Sequence, residues 1–278
     1  MYEKLCLAIG MQLDVPLREQ LTLLKNAGFD AFAFDRERNG TSDLTRELVE
    51  EGRRLGLSCE YIHAPFYGMD DIFHDEDGDL AEKMLRDLYG TIDDCCTFGV
   101  KYAVIHAIIG MDNHNPTELG LERLQAVVDY AVKKEVFLAF ENTEGEEYLE
   151  AIIDRFADVP NVGFCFDSGH ELCYNRGNDM LARFGKKLMV THLNHNVGMT
   201  GDELTFLDDA HLLPFDGIAD WEAMAERIRD CGYQGTLSFE VISKGRPDRT
   251  ENHIYNHLTA QEYVSLAYER AVRFRDLL

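Results

Sequence analysis

Residues 162–170 read VGFCFDSGH. A continuous apolar run stops on Asp167, and His170 follows three residues later. A buried strand that ends on a carboxylate is costly unless something pairs with the charge. One such ending can be chance, but this chain repeats the pattern. Apolar runs also lie at 4–10, 31–35, 56–64, 102–107, 136–142, 187–194 and 235–241, making eight with 162–167. They are rich in Val, Ile, Phe, Leu and Cys, and most are too continuous for a sheet wet on one face.

Helical patterns fill the intervals. PLREQLTLLKNAG (16–28) sets Leu17, Leu21 and Leu24 on one face, and LTRELVEEGRRLG (44–56) does the same with Leu44, Leu48 and Leu55. Amphipathic stretches follow at 79–98, 117–134, 145–157, 177–185, 220–231 and 259–277. Gly28, Gly56, Gly99, Gly185 and Gly232 stand where left-handed C-caps are expected. Eight strand-then-helix units in 278 residues predict a (β/α)8 barrel. With no Pro/Gly/Ser linker or low-complexity run, residues 1–278 are expected to form one domain. The competitor, an open doubly wound sheet, calls for a Gly-rich phosphate turn after an early strand. Here the first strand is followed by GMQLDVP (10–16).

The acidic residues number 51 against 27 basic ones, a net charge of −24. Such a chain repels polyanions unless it hides a basic groove. The opening stretch MYEKLCLAIGMQLDV shows no signal peptide, and no window approaches the roughly 18 apolar residues of a membrane span. The seven cysteines show no C-x-x-C spacing, and Cys6, Cys59 and Cys165 read as small buried hydrophobes. A reduced, cytoplasmic protein is expected.

In a barrel of this kind the C-terminal strand ends build the active face. Strands three to eight end, in order, on His63, His106, Glu141, Asp167, His192 and Glu240, and His170 lies in the loop after strand six. Downstream of strand seven, DDAH supplies Asp209 and His211. A single His or Glu at a strand end is usually structural or solvated. A whole ring of them implies a cation at the centre. Oxygen and nitrogen donors without a thiolate fit Mn²⁺, Zn²⁺, Co²⁺ or Fe²⁺, and a carboxylate-rich subset would fit Mg²⁺.

The ordered set IHAPF (62–66), FENTEG (140–145), FDSGH (166–170), THLN (191–194), DAHLLPFDGIADW (209–221) and SFEV (238–241) resembles the xylose isomerase-like barrel superfamily. That superfamily holds sugar isomerases, sugar-phosphate epimerases and class II abasic-site endonucleases. The resemblance runs over essentially the whole chain and is specific for the superfamily, not for a substrate. It implies one divalent metal, with Mn, Zn or Co the first candidates, held by Glu141, Asp167, His192 and Glu240. Glu141 and Glu240 double as acid and base. His170 then faces the substrate. The endonuclease branch implies further metal or substrate ligands at His63, His106, His170, Asp209 and His211, so a larger site of two or three metals stays open.

The reaction this implies is proton transfer beside a carbonyl through a metal-stabilised enediolate, giving isomerisation or epimerisation of a sugar or sugar phosphate. A lyase resembling inosose dehydratase uses the same chemistry. A trinuclear zinc phosphodiesterase of the abasic-site type is a further alternative, and a non-catalytic sugar-binding barrel another. Nucleic acid is disfavoured by charge: GMDDIFHDEDGD (68–79) puts six acids, read as a solvated loop, on the face where DNA would lie. Arg36, Arg38, Lys244, Arg246 and Arg249 follow strands two and eight. They are either solvated or grip one sugar phosphate, with Lys244 and Arg246 the candidates. Phe66 and Tyr67 are placed to wall a sugar ring or to pack their own loop. Trp221 reads as a core anchor. His114 and His195 fall near the active face, His74, His253 and His257 carry no motif, and none of the five is read as functional. Some ketose 3-epimerases place an Arg shortly after the strand-seven His; here Asn194, His195, Asn196, Val197 and Gly198 follow instead. The expected partner is a small sugar or sugar phosphate, with no membrane, and a homo-oligomer is allowed.

Overall fold

The computed structural model describes residues 4–10, 13–111, 115–245 and 250–278. His114, Arg246 and Arg249, named above, lie outside the described residues. The strands are β1 (Leu5–Ala8), β2 (Ala31–Asp35), β3 (Ser58–His63), β4 (Tyr102–His106), β5 (Phe137–Glu141), β6 (Val162–Asp167), β7 (Leu188–His192) and β8 (Leu237–Phe239). The helices are α1 (Leu17–Ala27), α2 (Asp43–Leu55), α3 (Met69–His74), α4 (Asp79–Phe98) and α5 (Glu118–Lys133). They continue with α6 (Glu146–Arg155), α7 (Ser168–Cys173), α8 (Met180–Phe184), α9 (Trp221–Asp230) and α10 (Ala260–Arg275).

All strand pairs are parallel, in the order β7-β6-β5-β4-β3-β2-β1-β8. A parallel bridge between Leu193 and Phe239 brings the two ends together, so the sheet is a nearly closed (β/α)8 barrel. The continuous apolar runs now have their reason. Outward side chains such as Phe32, Phe34, Ile105, Phe140, Phe164 and Phe166 are buried under the helices. Inward ones, Cys6, Ala31, Ala33, Tyr61, Val104, Ala139, Cys165 and Val190, fill the lumen. Small residues dominate because the lumen is narrow, and Tyr61 takes the space they leave. Each fully buried Phe stabilises the fold by roughly 1.5–3 kcal/mol.

Period-two alternation carries the lumen pattern up one pleat. Above Cys6, Ala33, Tyr61, Val104, Ala139, Cys165, Val190 and Ser238 come Ala8, Asp35, His63, His106, Glu141, Asp167, His192 and Glu240. The ring of donors is the top layer of the barrel. Register fixes its level: His106 pairs with Glu141, Asp167 with His192, and Asp35 with His63. One extra residue in β3 between Phe32/Phe34 of its partner sets that last pairing.

Four expectations need correction. β8 stops at Phe239, so Glu240 sits one residue past the strand rather than ending it. The acidic stretch 68–79 contains α3, which buries Met69, Ile72 and Phe73 against the core, so it is not simply a solvated loop. Gly185 is right-handed (φ −58°), unlike the left-handed caps Gly28, Gly56 and Gly99. Its reason is space: a Cβ there would stand 2.1 Å from Cys231 Sγ. Cys59 is only partly buried, whereas Cys6 and Cys165 are fully so.

Candidate metal centre

Glu141, at the end of β5, is the hub. Its Oε1 lies 3.2 Å from both His170 Nδ1 and His192 Nδ1. Its Oε2 lies 3.2 Å from His63 Nε2 and 3.6 Å from His106 Nε2. One donor atom each from Glu141, Asp167, His192 and Glu240 fall within 4.8 Å of one another. Two further groups flank this one at the same spacing: His63, His106 and Glu141 on one side, and Asp167, His170 and His211 on the other. Asp209 Oδ2 joins the second flank, 3.0 Å from His211 Nε2 and 3.5 Å from His170 Nε2. The sequence-predicted positions thus converge, and Glu141 and Asp167 are shared between neighbouring groups.

Both ring nitrogens of His192 and Oε2 of Glu240 are buried without an aligned hydrogen bond among the described residues, although His192 Nδ1 and Glu240 Oε2 are 2.7 Å apart. Nearly all buried polar atoms are satisfied in folded proteins. Donors crowded together yet unsatisfied suit a shared cation, and the oxygen and imidazole set fits a divalent ion. Cys165 also lies within 4.8 Å of Glu141 and His192. It sits one pleat below Asp167, on the floor beneath the ring, and in the metal-free chain burial pushes its thiol up to about 12.

An outer layer of amides aims the acids. Asn142 Nδ2 donates to the Asp167 carbonyl (2.9 Å), and its Oδ1 accepts from the Asp167 N–H (2.8 Å). Asn194 Nδ2 donates to Asp167 Oδ2 at 2.8 Å, and the His170 N–H donates to Oδ1 at 2.7 Å, capping α7. Gly169 makes this possible, since a Cβ there would stand 1.9 Å from Asn194 Oδ1. Asn196 Oδ1 accepts from the N–H groups of Ala210 and His211. That clamp holds His211 in a left-handed conformation (φ 47°), the kind of strain that collects at functional sites.

Burial and crowding drive the groups apart. Burial alone would raise Glu141, but the imidazoles of His192, His106 and His170 outweigh it and hold the carboxyl well below its usual range. Burial lifts Asp167 to about 6, with Glu141 and Asp209 adding to it and His170 and His211 opposing. Burial lowers His106 to about 3, since His63 and His170 offset Glu141. At His211 burial opposes charge, yet Asp209 carries it to about 9. At Glu240 burial is outweighed by His192, leaving the carboxyl at about 2.

The ring opens into a cavity of about 250 Å³. Phe66 lines it and stacks on His106, with centroids 4.4 Å apart and an 11° tilt. Tyr67, 62% exposed, Tyr174 and Phe206 line it further out. Two lining carboxylates escaped the sequence reading. Asp35 ends β2 just as Asp167 ends β6, so the signal was present. Glu144, in the loop after β5, accepts from the Gly110 N–H at 2.7 Å. Two of the described cations placed after strands two and eight go elsewhere. Arg36 is buried, with Nε 2.9 Å from Asp94 Oδ2 and Nη1 3.7 Å from Asp87 Oδ1. It is neither solvated nor a substrate group. Lys244 pairs with Asp14 in a separate depression. Trp221 is buried at the start of α9, as expected. His195 is fully buried beside it, and its Nδ1 accepts from the Gly217 N–H and the Trp221 indole.

The family model of the xylose isomerase-like TIM barrel matches residues 21–259. The chain belongs to that family. It is 27% identical to the uncharacterized protein y4fM of Sinorhizobium fredii (strain NBRC 101917 / NGR234), over 93% of both chains. It is 24% identical to the inosose isomerase of Bacillus subtilis (strain 168), over 72% of both. Among solved structures, the IOLI protein with its zinc atom superposes with a TM-score of 0.76 at 22% identity, covering 98% of each chain. L-ribulose 3-epimerase superposes at 0.68 and 19% identity, covering 99% of this chain and 97% of its own. These superpositions speak to the fold; the family model is what carries the family membership. No helix among the described residues is long and apolar enough to cross a membrane.

Proposed function

We propose that the chain is a divalent-metal-dependent isomerase or epimerase of a sugar or sugar phosphate. One observation carries the reading: Glu141, Asp167, His192 and Glu240 offer donor atoms within 4.8 Å of one another, and Glu141 and Glu240 line a cavity of about 250 Å³. The names of the isomerase and epimerase relatives, and the zinc of the IOLI protein, support it. These four residues would hold a Mn²⁺, Zn²⁺ or Co²⁺ ion. When bound, such an ion polarises a carbonyl and offsets the charge that builds on its oxygen.

The chain's own groups do the rest. Glu240 lines the cavity; its Oε2 contacts His192, and its other oxygen meets no protein partner among the described residues. It is the base placed to take a proton from the carbon beside the carbonyl. Glu141, held ionised among four imidazoles, is the second member of the pair. Return of the proton to the neighbouring carbon gives isomerisation, and return to the opposite face gives epimerisation. A positioned acid or base contributes about 100- to 10,000-fold.

The two flanking groups favour a second reading, a three-metal phosphodiesterase. The charge of −24 and the lack of a lining Lys or Arg among the described residues weigh against a polyanion. One experiment separates the readings. Purified protein is analysed for bound metal, then given ketoses, cyclic polyol ketones and their phosphates in D₂O. Deuterium entering beside the carbonyl without bond cleavage supports the first reading. Nicking of tetrahydrofuran-site DNA without any exchange overturns it.

A further inference from the structure

An imidazole can give an ion only one nitrogen, and when the ring is neutral the other carries a proton that needs an acceptor. At His192 the first role falls to Nδ1, which lies 2.7 Å from Glu240 Oε2 and 3.2 Å from Glu141 Oε1. Nε2 is buried without a hydrogen-bond partner among the described residues. It cannot turn to solvent, since His192 is 0% exposed and does not line the cavity. Its partner has to come from the barrel lumen beneath the ring.

That lumen is apolar almost throughout, with Ala31, Ala33, Val104, Ala139 and Val190. Two hydroxyls break the pattern. Tyr61 stands on β3, across the barrel from β7, yet its ring centroid is 5.0 Å from that of His192. The bulge in β3 aims it inward, because Glu60 and Tyr61 together stand opposite Ala33. Ser238 stands on β8, and the parallel bridge between Leu193 and Phe239 sets it beside His192. Both hydroxyl oxygens are buried and, like Nε2, lack a hydrogen-bond partner among the described residues. Phe at position 61 would fill the same space without burying a hydroxyl, so the oxygen has a role of its own. The Cys165 thiol lies within 4.8 Å of His192, and the Cys6 thiol approaches Ser238, but neutral sulfur is a weak partner and neither contact is an aligned hydrogen bond. Polar atoms left over around one sealed space are what hold an internal water, which takes two to four such contacts.

We propose that Tyr61 is a positioning residue: with Ser238 it holds one enclosed water that accepts the His192 Nε2–H, fixing the tautomer and leaving Nδ1 to face the ion. This deepens the metal-dependent reading and rests on it for the ion alone.

The test uses the full chain, stripped and reloaded with zinc or cobalt. A crystal structure of the zinc-loaded chain should show one water within hydrogen-bond reach of His192 Nε2, Tyr61 Oη and Ser238 Oγ. Tyr61→Phe, which keeps the ring and drops the hydroxyl, should weaken cobalt binding about tenfold, and Ser238→Ala should do the same. The double variant should add little to either, because one water has been lost twice. Cys165→Ala, which removes the weaker neighbour of His192, should leave cobalt affinity unchanged. In the zinc-loaded chain carrying ¹⁵N-histidine, an Nε2–H protected from solvent exchange should lose its protection in Tyr61→Phe, a change that altered packing alone would not make. Thermal unfolding of each metal-free variant separates a lost contact from a damaged fold; if Tyr61→Phe fails to fold, Ser238→Ala carries the test. A dry lumen, a Tyr61→Phe affinity equal to that of the unaltered chain, or a Cys165→Ala loss larger than that of Tyr61→Phe would overturn the inference. Metal bound equally by every variant sinks the inference alone; an unaltered chain that binds neither metal sinks the metal-dependent reading and the inference with it.

Discussion

Asn194 reaches Asp167 across a space that only a glycine leaves: its amide donates to Oδ2 at 2.8 Å, where a Cβ on Gly169 would stand 1.9 Å from the Asn194 oxygen. Gly169→Ala must displace the amide or the first turn of α7. The expected cost is about 1–3 kcal/mol of stability and about a 10- to 100-fold loss of metal affinity. Unfolding curves and metal titration read both. Asn194→Ala in the Gly169→Ala background should add little, because one contact has been removed twice.

Glu141 and Glu240 should separate by metal retention. Glu141→Gln removes a carboxylate shared by four imidazoles. It should lose both metal and turnover. Glu240→Gln, with its more open carboxylate, should keep most of the metal while turnover falls about 100- to 10,000-fold. Metal content per chain, assayed beside deuterium exchange, decides; equal metal loss in both variants would reverse the assigned roles.

Much of this site was legible as strand punctuation. An apolar run that ends on Asp167 or Glu141 announces its own place in a barrel, since alternation and burial leave that side chain nowhere else to point. Asp35 carried the same signal and passed unnoticed, because its strand is followed by arginines that suggest a different use for the loop. Arg36 misled for a physical reason. Its partners Asp87 and Asp94 lie 51 and 58 residues away in sequence on α4, and no local pattern announces a buried ion pair of that span. Helix α3 was hidden by its acids, since a single turn and a half leaves too few apolar positions for a period to show. Glu240 was placed correctly in the ring although its strand ends one residue earlier, because register is set by the lumen alternation and not by where the ladder stops.

Arg36 is the second structural test. Its side chain is 7% exposed and also donates to the Gly40 carbonyl at 2.8 Å. Arg36→Ala leaves Asp87 and Asp94 buried without their cation, and breaking a buried pair from one side costs about 3–5 kcal/mol. The paired change Arg36→Met with Asp94→Leu should recover part of that loss. Chemical denaturation measures both; a cost below about 1 kcal/mol for Arg36→Ala would show that the pair is solvated.

Chelation should act on stability as well as turnover. Without a cation, the Asp167 and Asp209 carboxyls and the Glu141 hub rely on imidazolium charge, as the raised His211 at about 9 records. A metal must displace such protons, so uptake should release protons and tighten as pH rises toward 9. A chain stripped with EDTA should melt several degrees lower, and saturating Zn²⁺ or Mn²⁺ at about 100 times its dissociation constant should return about 2.7 kcal/mol. Scanning calorimetry with and without metal, and proton release in weak buffer, check the two halves.

His195 makes the acid limb of stability testable apart from the metal. Its ring is 0% exposed and serves as acceptor for Gly217 and the Trp221 indole at 2.9 and 3.2 Å. Burial holds its pKa down at about 4. In the unfolded chain the ring takes a proton near 6.5, so between about 6.5 and 4 the unfolded state binds a proton that the folded state refuses. Stability is therefore full above about 6.5 and falls as the pH drops toward 4, by at most about 1.4 kcal/mol per pH unit from this residue. His195→Gln keeps an acceptor and cannot titrate. Its stability should fall less steeply with acid than that of the unaltered chain, both measured by denaturant unfolding of the metal-loaded protein from pH 7 to 4.5. Parallel slopes would mean that the ring is already charged in the fold, and that its N–H neighbours have turned away.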